Sequence, residues 1–186
     1  MTGYSENFQA LQIEEVRHTF QLNCDLKIIK SVEKANLKQR DYFLNKIIRR
    51  FGGEGAIKGK VFSIWGLSFK PGTNDIRGAI SIYIIDEILR LGGSLNLYDP
   101  KASENIKNLF NDTGDITFFD DKYEAVKCAE ALILLTEWPE FRSPDFNLLK
   151  TNLKQPLIFD GKNQFDKYHM KDIGFEYHQI GVPLLK

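Results

Sequence analysis

Apolar residues in the first 51 positions recur three, four or seven residues apart, the spacing of one face of a helix. We predict one helix over residues 8–20 and, after a polar break at 23–25, a second, long helix over 24–51. The apolar stripe of the long helix includes Leu37 and Ile48 and needs a surface to cover it. Two arrangements remain open: the stripe packs on its own domain, or it also packs against a second copy of the chain.

From Lys60 onward the pattern changes to short β-rich apolar runs that alternate with helical segments. The run at 131–135 is continuously apolar, which is typical of a central parallel strand that is buried on both faces. The run at 175–178 is predicted to be an edge strand. The predicted strands are 61–65, 95–98, 116–119, 131–135, 156–159 and 175–178, with helices near 80–91, 101–110, after 121, 145–153 and 166–172.

This alternation predicts an α/β fold, because strands linked by helices with right-handed crossovers form an open, doubly wound sheet. We expect a Rossmann-like, mostly parallel sheet of six strands, preceded by a helical segment with one long helix. The predicted domains are a helical central segment at 1–55 and a Rossmann-like domain at 56–186.

Composition excludes several classes of function. The formal net charge is zero, so the chain lacks the basic excess of a nucleic-acid-binding protein. No apolar run is long enough to span a membrane, and no signal peptide is recognisable at the N-terminus. Cys24 and Cys128 are far apart and predict reduced thiols in or near the core of a cytosolic protein. The three histidines have no metal-binding spacing.

Three cations follow predicted strands at the points where those strands end. Lys70 and Arg77 follow the first strand, and Lys162 follows the fifth. The carboxyl ends of parallel strands meet at one edge of the sheet, where ligands of open α/β sheets bind. The N-termini of two helices are expected at the same edge and add partial positive charge. The pattern therefore predicts a seat for a diphosphate.

The usual dinucleotide-binding fingerprint is missing. The first strand is followed by a single glycine, Gly66, and no G-x-G-x-x-G is present. Asp99 resembles the acid that binds a ribose at the end of a second strand, but it lies 33 residues beyond Gly66. The usual separation is about 20 residues. The residues thus favour an anion-binding edge over a full NAD site.

One segment resembles a known family. Residues 66–77, GLSFKPGTNDIR, are similar to the G-L-x-F-K-x-x-T-x-D-x-R motif of the UDP-glucose/GDP-mannose dehydrogenase family. The long helix at 24–51 resembles the central helix that joins the two halves of these proteins, and the resemblance covers about residues 8–183. Four further stretches match in order: YDP at 98–100, ALILLTEW at 131–138, IFDG at 158–161 and GFEY at 174–177.

The resemblance implies roles for individual residues. Phe69 and Lys70 would bind the substrate, UDP-glucose or a related UDP-sugar. Lys162, which stands where the family usually has arginine, would also bind it. Arg77 would reach an NAD cofactor that is bound mainly by the other half of the enzyme. Gly78 stands where the family usually has glutamate.

The resemblance also implies that catalytic residues are missing. The family oxidises a sugar alcohol to a carboxylate with NAD and a cysteine thiolate. Here Gly3 aligns with that cysteine and Asn7 with an aspartate that orients water. Neither Cys24 nor Cys128 is expected to substitute.

We therefore expect the C-terminal part of an enzyme of this family, which binds a UDP-sugar and is not catalytically competent alone. It is expected to form a homodimer through the 24–51 helix or to associate with an N-terminal half on another chain. The alternatives are a non-catalytic UDP-binding module and an inert folded remnant.

Overall fold

The computed structural model describes residues 27–110 and 114–183. The helix predicted at 8–20, the positions of Gly3 and Asn7, and Cys24 lie outside the described residues. The helices are α1 Lys27–Arg50, α2 Ile80–Arg90, α3 Ser103–Leu109, α4 Lys122–Ala125 and α5 Phe146–Asn152, with single 3₁₀ turns at Glu54–Ala56, Pro139–Phe141 and Asp166–Tyr168. The strands are β1 Val61–Trp65, β2 Ser94–Tyr98, β3 Ile116–Phe118, β4 Leu132–Leu134, β5 Leu157–Asp160 and β6 Glu176–Gln179.

The six strands form one sheet in the order β3-β2-β1-β4-β5-β6, and every pairing is parallel. The chain begins the sheet in the middle at β1, proceeds to one edge and then crosses to the other side. This confirms the predicted doubly wound α/β fold. The order reverses between β1 and β4, which is where sheets of this kind leave a crevice for ligands.

The central strands are apolar because both of their faces are covered. All of β4 and β5 is buried, and Trp65 at the end of β1 is fully enclosed. The Trp65 ring packs against Phe141 with their centroids 5.2 Å apart, and its indole N–H donates to the carbonyl of Lys122. This packing holds the carboxyl end of β1, from which the first ligand loop departs.

The chain divides into two compact units, residues 1–41 and 42–186, and the division falls inside α1. In the larger unit, the last turns of α1 bury Phe43, Leu44 and Ile48. In the smaller unit, the described residues are the first turns of α1. Several of their apolar side chains are at least half exposed: Ile28 by 80%, Ile29 by 53%, Val32 by 54% and Leu37 by 50%.

A buried lysine fixes the end of the described chain. Lys46 of α1 is only 3% exposed, and its ammonium donates to the carbonyl oxygens of Gln179, at 2.7 Å, and Val182. Its Nζ also lies 5.0 Å from the centre of the Tyr42 ring. The segment after β6 is therefore attached to α1 by a cation that binds carbonyl oxygens.

Two expectations are corrected. The helix predicted at 166–172 is only the 3₁₀ turn Asp166–Tyr168, because His169 adopts a left-handed conformation (φ 46°) that ends the turn. Cys128 is an exposed, free thiol in a left-handed conformation (φ 58°) after α4. It is therefore neither a core residue nor part of the helix before β4.

Candidate functional site

The loop between β1 and α2 turns sharply at Gly66. This residue has a φ of +89°, and a Cβ placed on it would lie 2.6 Å from the backbone nitrogen of Thr136. Only glycine fits both the left-handed backbone and this close approach. The loop after β1 is therefore pressed against the loop after β4, at the point where the strand order reverses.

Asp99, at the end of β2, holds this loop in place. Its Oδ2 accepts the backbone N–H groups of Leu67, at 2.7 Å, and Ser68, at 3.1 Å, and the indole N–H of Trp138, at 3.1 Å. Its Oδ1 accepts the backbone N–H groups that follow β2, those of Lys101 and Ala102. One buried carboxylate thus connects the loops after β1, β2 and β4.

This arrangement excludes the ribose-binding role that the position of Asp99 suggests. Both of its carboxylate oxygens are occupied by donors of the protein itself, and the residue is only 5% exposed. A ribose-binding acid has to present an oxygen to the ligand. Asp99 is a structural residue of the site, and this function was missed in the sequence.

Other backbone groups at the start of the β1–α2 loop are also paired. The Ser81 hydroxyl donates to the carbonyl of Leu67, at 2.5 Å, and the Thr136 hydroxyl donates to that of Ser68, at 2.6 Å. The backbone N–H of Gly66 donates to the carbonyl of Tyr98, and that of Phe69 to the carbonyl of Asp75. The backbone N–H groups from 66 to 69 are therefore satisfied, and the turn does not offer the open amides that cradle a dinucleotide pyrophosphate.

The fixed loop carries exposed side chains at its tip. Phe69 is 55% exposed, an unusual position for a large apolar ring, and Lys70 is exposed. The side chain of Arg77 is 83% exposed and makes a bidentate contact with Asp75, with its Nη2 2.8 Å from Oδ2. These hydrogen bonds from Arg77 lower the pKa of Asp75 to about 2. Asp75 thus stays ionised and orients the guanidinium group.

A second buried carboxylate organises the loop after β5. Asp160 accepts the backbone N–H groups of Lys162, at 2.8 Å, and Phe165, at 3.0 Å, and the hydroxyl of Tyr177, at 2.8 Å. Burial raises the pKa of Asp160, while these donors act in the opposite direction. The side chain of Lys162 forms an ion pair with Glu137, with Nζ 3.0 Å from Oε2. The loops after β4 and β5 are therefore joined through Lys162.

The three predicted cations thus fall into two groups. Lys70 and Arg77 both interact electrostatically with Asp75, which lies in the same loop. Lys162 forms its ion pair with Glu137. Carboxylates therefore offset part of the positive charge that the sequence predicts for this edge. The D-x-R spacing of Asp75 and Arg77 was a local signal for their contact, whereas the pairing of Lys162 with Glu137 depends on the neighbouring positions of β4 and β5.

A polar cleft opens beside Arg77, between the β1–α2 loop and α3. Its volume is about 720 Å³. The side-chain amide of Asn105 donates a hydrogen bond of 2.7 Å to the carbonyl of Asn74 and so connects the two walls of the cleft. The lining residues are Thr73, Asn74, Asp75, Ile76, Arg77, Asn105, Asn108 and Leu109.

Two kinds of site are not found in the described part of the chain. No helix there has the length and apolar character needed to cross a membrane. Within the same ranges, no group of three or more histidine, cysteine, aspartate or glutamate residues is arranged to hold a metal ion.

Comparison with known proteins identifies relatives of this chain. The model of the UDP-glucose/GDP-mannose dehydrogenase family, UDP binding domain, matches residues 63–167. A UDP-glucose 6-dehydrogenase of Pseudomonas aeruginosa is 34% identical over 171 residues, which are 90% of this chain and 37% of the relative. The UDP-glucose 6-dehydrogenase TuaD of Bacillus subtilis is 36% identical over 160 residues, 86% of this chain and 34% of the relative. The chain therefore spans about a third of the length of these relatives.

Solved structures show the same fold. A UDP-glucose dehydrogenase from Pyrobaculum islandicum superposes with a TM-score of 0.64 at 24% identity, covering 78% of this chain and 31% of its own. The UDP-N-acetyl-mannosamine dehydrogenase Cap5O from Staphylococcus aureus gives a TM-score of 0.62 at 21% identity. The superposition covers 85% of this chain and 34% of the Cap5O chain. At these identities the likeness supports the fold alone.

Proposed function

Since the chain belongs to the UDP-glucose/GDP-mannose dehydrogenase family, in which it matches the UDP-binding domain, we propose that it binds a UDP-sugar at the carboxyl edge of its sheet. The observation that carries this proposal is the β1–α2 loop, whose backbone is fixed by Asp99 while Phe69 and Lys70 remain exposed at its tip. A loop that is already ordered loses little entropy when a ligand binds.

Each proposed contact matches one part of the ligand. The ammonium of Lys70 is suited to the negative charges of a diphosphate, and the ring of Phe69 to an apolar surface of the nucleotide-sugar. Lys162 would add a second positive charge once it turns from Glu137 toward the ligand. A lysine there supplies a point charge without the bidentate geometry of an arginine, so we expect its contribution to be smaller than that of Lys70.

The pyrophosphate of an NAD cofactor does not fit the first turn of this sheet, because the backbone N–H groups from 66 to 69 are all paired within the protein. We propose that Arg77, oriented by Asp75, contacts a cofactor held mainly by another part of the enzyme. Cys128 precedes β4 and is therefore remote from the carboxyl edge. The proposed contribution of residues 27–110 and 114–183 to an oxidation is then recognition of the UDP-sugar, without a catalytic residue.

Replacing Lys70 by alanine should weaken the binding of UDP by about tenfold or more, because a charge-assisted contact to the diphosphate is lost. Titration calorimetry of the whole chain with UDP and with UDP-glucose measures this effect. Lys127→Ala is the matched control, since Lys127 is an exposed lysine of the α4 region that pairs with Glu124.

The two variants distinguish the proposal from its alternatives. Unchanged affinity in Lys127→Ala, together with weaker binding in Lys70→Ala, supports the site. If neither UDP nor UDP-glucose produces heat at millimolar concentration, the chain is an inert folded remnant. Formation of NADH after mixing with an N-terminal half and UDP-glucose would distinguish an enzyme part from a module that only binds.

We also propose that the first turns of α1 pair with a second copy of the chain. Leu37 and Ile29 are at least half exposed there, and exposed apolar surface on a helix is typical of an interface. The double substitution Ile29→Glu and Leu37→Glu should convert a dimer into a monomer in sedimentation equilibrium. Lys34→Glu, a change at another exposed position of the same helix, should leave the dimer intact; a monomeric wild-type chain would contradict the proposal.

A further inference from the structure

Four side chains on the last turns of α1 share one face of the helix. Positions 45 and 46 each lie three or four residues from both 42 and 49, which places their side chains next to those of Tyr42 and Arg49. Together with Pro183 from the segment after β6, these side chains line a cavity of about 370 Å³. This volume lies at the lower end of the about 300–1,000 Å³ that small-molecule sites occupy. The side chains belong to Tyr42, Asn45, Lys46 and Arg49.

The cavity is positively charged. Lys46 and Arg49 are cations, and its described lining contains no carboxylate. Lys46 is only 3% exposed, its ammonium binds the neutral carbonyl oxygens of Gln179 and Val182, and no ion pair of Lys46 is found within the described residues. A buried charge without a counter-ion attracts anions more strongly than a solvated one, because water screens it less.

Arg49 differs from the arginine beside it. Arg50 makes a bidentate contact with Glu176, at 2.5 and 2.7 Å, and reaches Gln155. No hydrogen bond or ion pair of Arg49 is found within 27–110 and 114–183, and its side chain is exposed beside the cavity. Arg50 therefore has a structural role in the packing of α1 on β6, whereas the guanidinium of Arg49 is available to a ligand.

We propose that this cavity binds the phosphate group of a small aromatic phosphate ester. The planar guanidinium of Arg49 matches two phosphate oxygens, the side-chain amide of Asn45 donates to a third, and Lys46 supplies a fixed charge behind them. The ring of Tyr42, which is 43% exposed, provides a surface for the planar part of the ligand. The residues proposed to bind the UDP-sugar, Phe69, Lys70 and Lys162, do not line this cavity, so the two proposed sites are distinct.

The test uses the whole chain with Lys70→Ala as the background, so that binding at the carboxyl edge is weakened. Calorimetry with phenyl phosphate and with inorganic phosphate should show that both bind, with phenyl phosphate the tighter ligand. Arg49→Gln should weaken both by tenfold or more. The control is Arg142→Gln, because Arg142 is an exposed arginine outside the cavity, and it should change neither affinity.

Each result decides one part of the proposal. Absence of binding for both ligands at millimolar concentration, or equal binding by Arg49→Gln and its background, would overturn the site. Equal affinities for the two ligands would overturn the role of Tyr42 and assign the site to free phosphate. Tyr42→Leu should weaken phenyl phosphate alone. Because Arg49 is exposed and has no partner in the described structure, circular dichroism of Arg49→Gln should match that of the background.

Discussion

Replacing Asp99 by alanine should destabilise the fold by about 4 kcal/mol, since donors from three loops lose their acceptor inside the protein. The backbone N–H groups of Leu67, Ser68 and Ala102 would be left unpaired in a buried place. The indole of Trp138 would lose its only hydrogen-bond acceptor found in the described residues. Urea unfolding followed by tryptophan fluorescence measures the difference.

Asp121→Ala is the matched control for this substitution. Asp121 caps α4 and accepts two backbone N–H groups, those of Tyr123 at 2.8 Å and Glu124 at 2.9 Å, but it is exposed. Water can replace its oxygens, so its loss should cost about 1 kcal/mol. Equal destabilisation by the two substitutions would contradict the central role of Asp99.

The effect of Asp99 on binding follows from the same contacts. The loop it holds carries Phe69 and Lys70, the two residues proposed to contact the nucleotide-sugar. Looser anchoring increases the entropy that the loop loses when the ligand binds. Folded Asp99→Ala, at a temperature well below its unfolding, should therefore bind UDP more weakly than the wild type although Asp99 does not contact the ligand.

The sheet was predictable because its determinants are local. A parallel strand buried on both faces is typically a continuous apolar run, and the residues at 131–135 and 157–159 show this directly. The edge position of β6 was also predicted, and the structure confirms it. The prediction of a helix at 166–172 was wrong because His169 adopts a left-handed conformation. A histidine in the sequence does not by itself indicate that conformation.

The candidate site was predictable only in part. The ends of the strands locate Lys70, Arg77 and Lys162 at the carboxyl edge, since that follows from parallel topology alone. The contact of Asp75 with Arg77 is local and lies within a recognisable D-x-R pattern. The hydrogen bonds that Asp99 accepts from Leu67, Ser68 and Trp138 connect residues 31 to 39 positions apart, so no spacing rule reveals them.

The burial of Lys46 could not be predicted from the sequence either, for a different reason. A lysine on a helix is nearly always a solvated surface residue, and the pattern around it supports that interpretation. Its burial depends on the end of β6 and the segment that follows, which provide two carbonyl oxygens from positions 133 and 136 residues later in the chain. The positive cavity at α1 is therefore visible only in the three-dimensional structure.

Gly66→Ala should destabilise the fold by about 3 kcal/mol or more, because two separate costs act at one position. The left-handed backbone (φ +89°) disfavours any side chain by about 1–2 kcal/mol. In addition, the new Cβ would lie 2.6 Å from both the Cβ and the backbone nitrogen of Thr136, so the loops after β1 and β4 must separate. Overpacking of this kind costs about 1–3 kcal/mol. Thermal and urea unfolding measure the sum.

Gly72→Ala isolates the first of these costs. Gly72 has nearly the same conformation, with φ at +87°, but no atom lies within 4 Å of the position of its Cβ. The substitution should therefore cost only the backbone term, about 1 kcal/mol. The difference between the two variants measures how tightly the loop after β1 is pressed on Thr136; if both lose the same stability, the close approach contributes nothing. Since the same loop presents Lys70, we expect Gly66→Ala to weaken UDP binding together with stability.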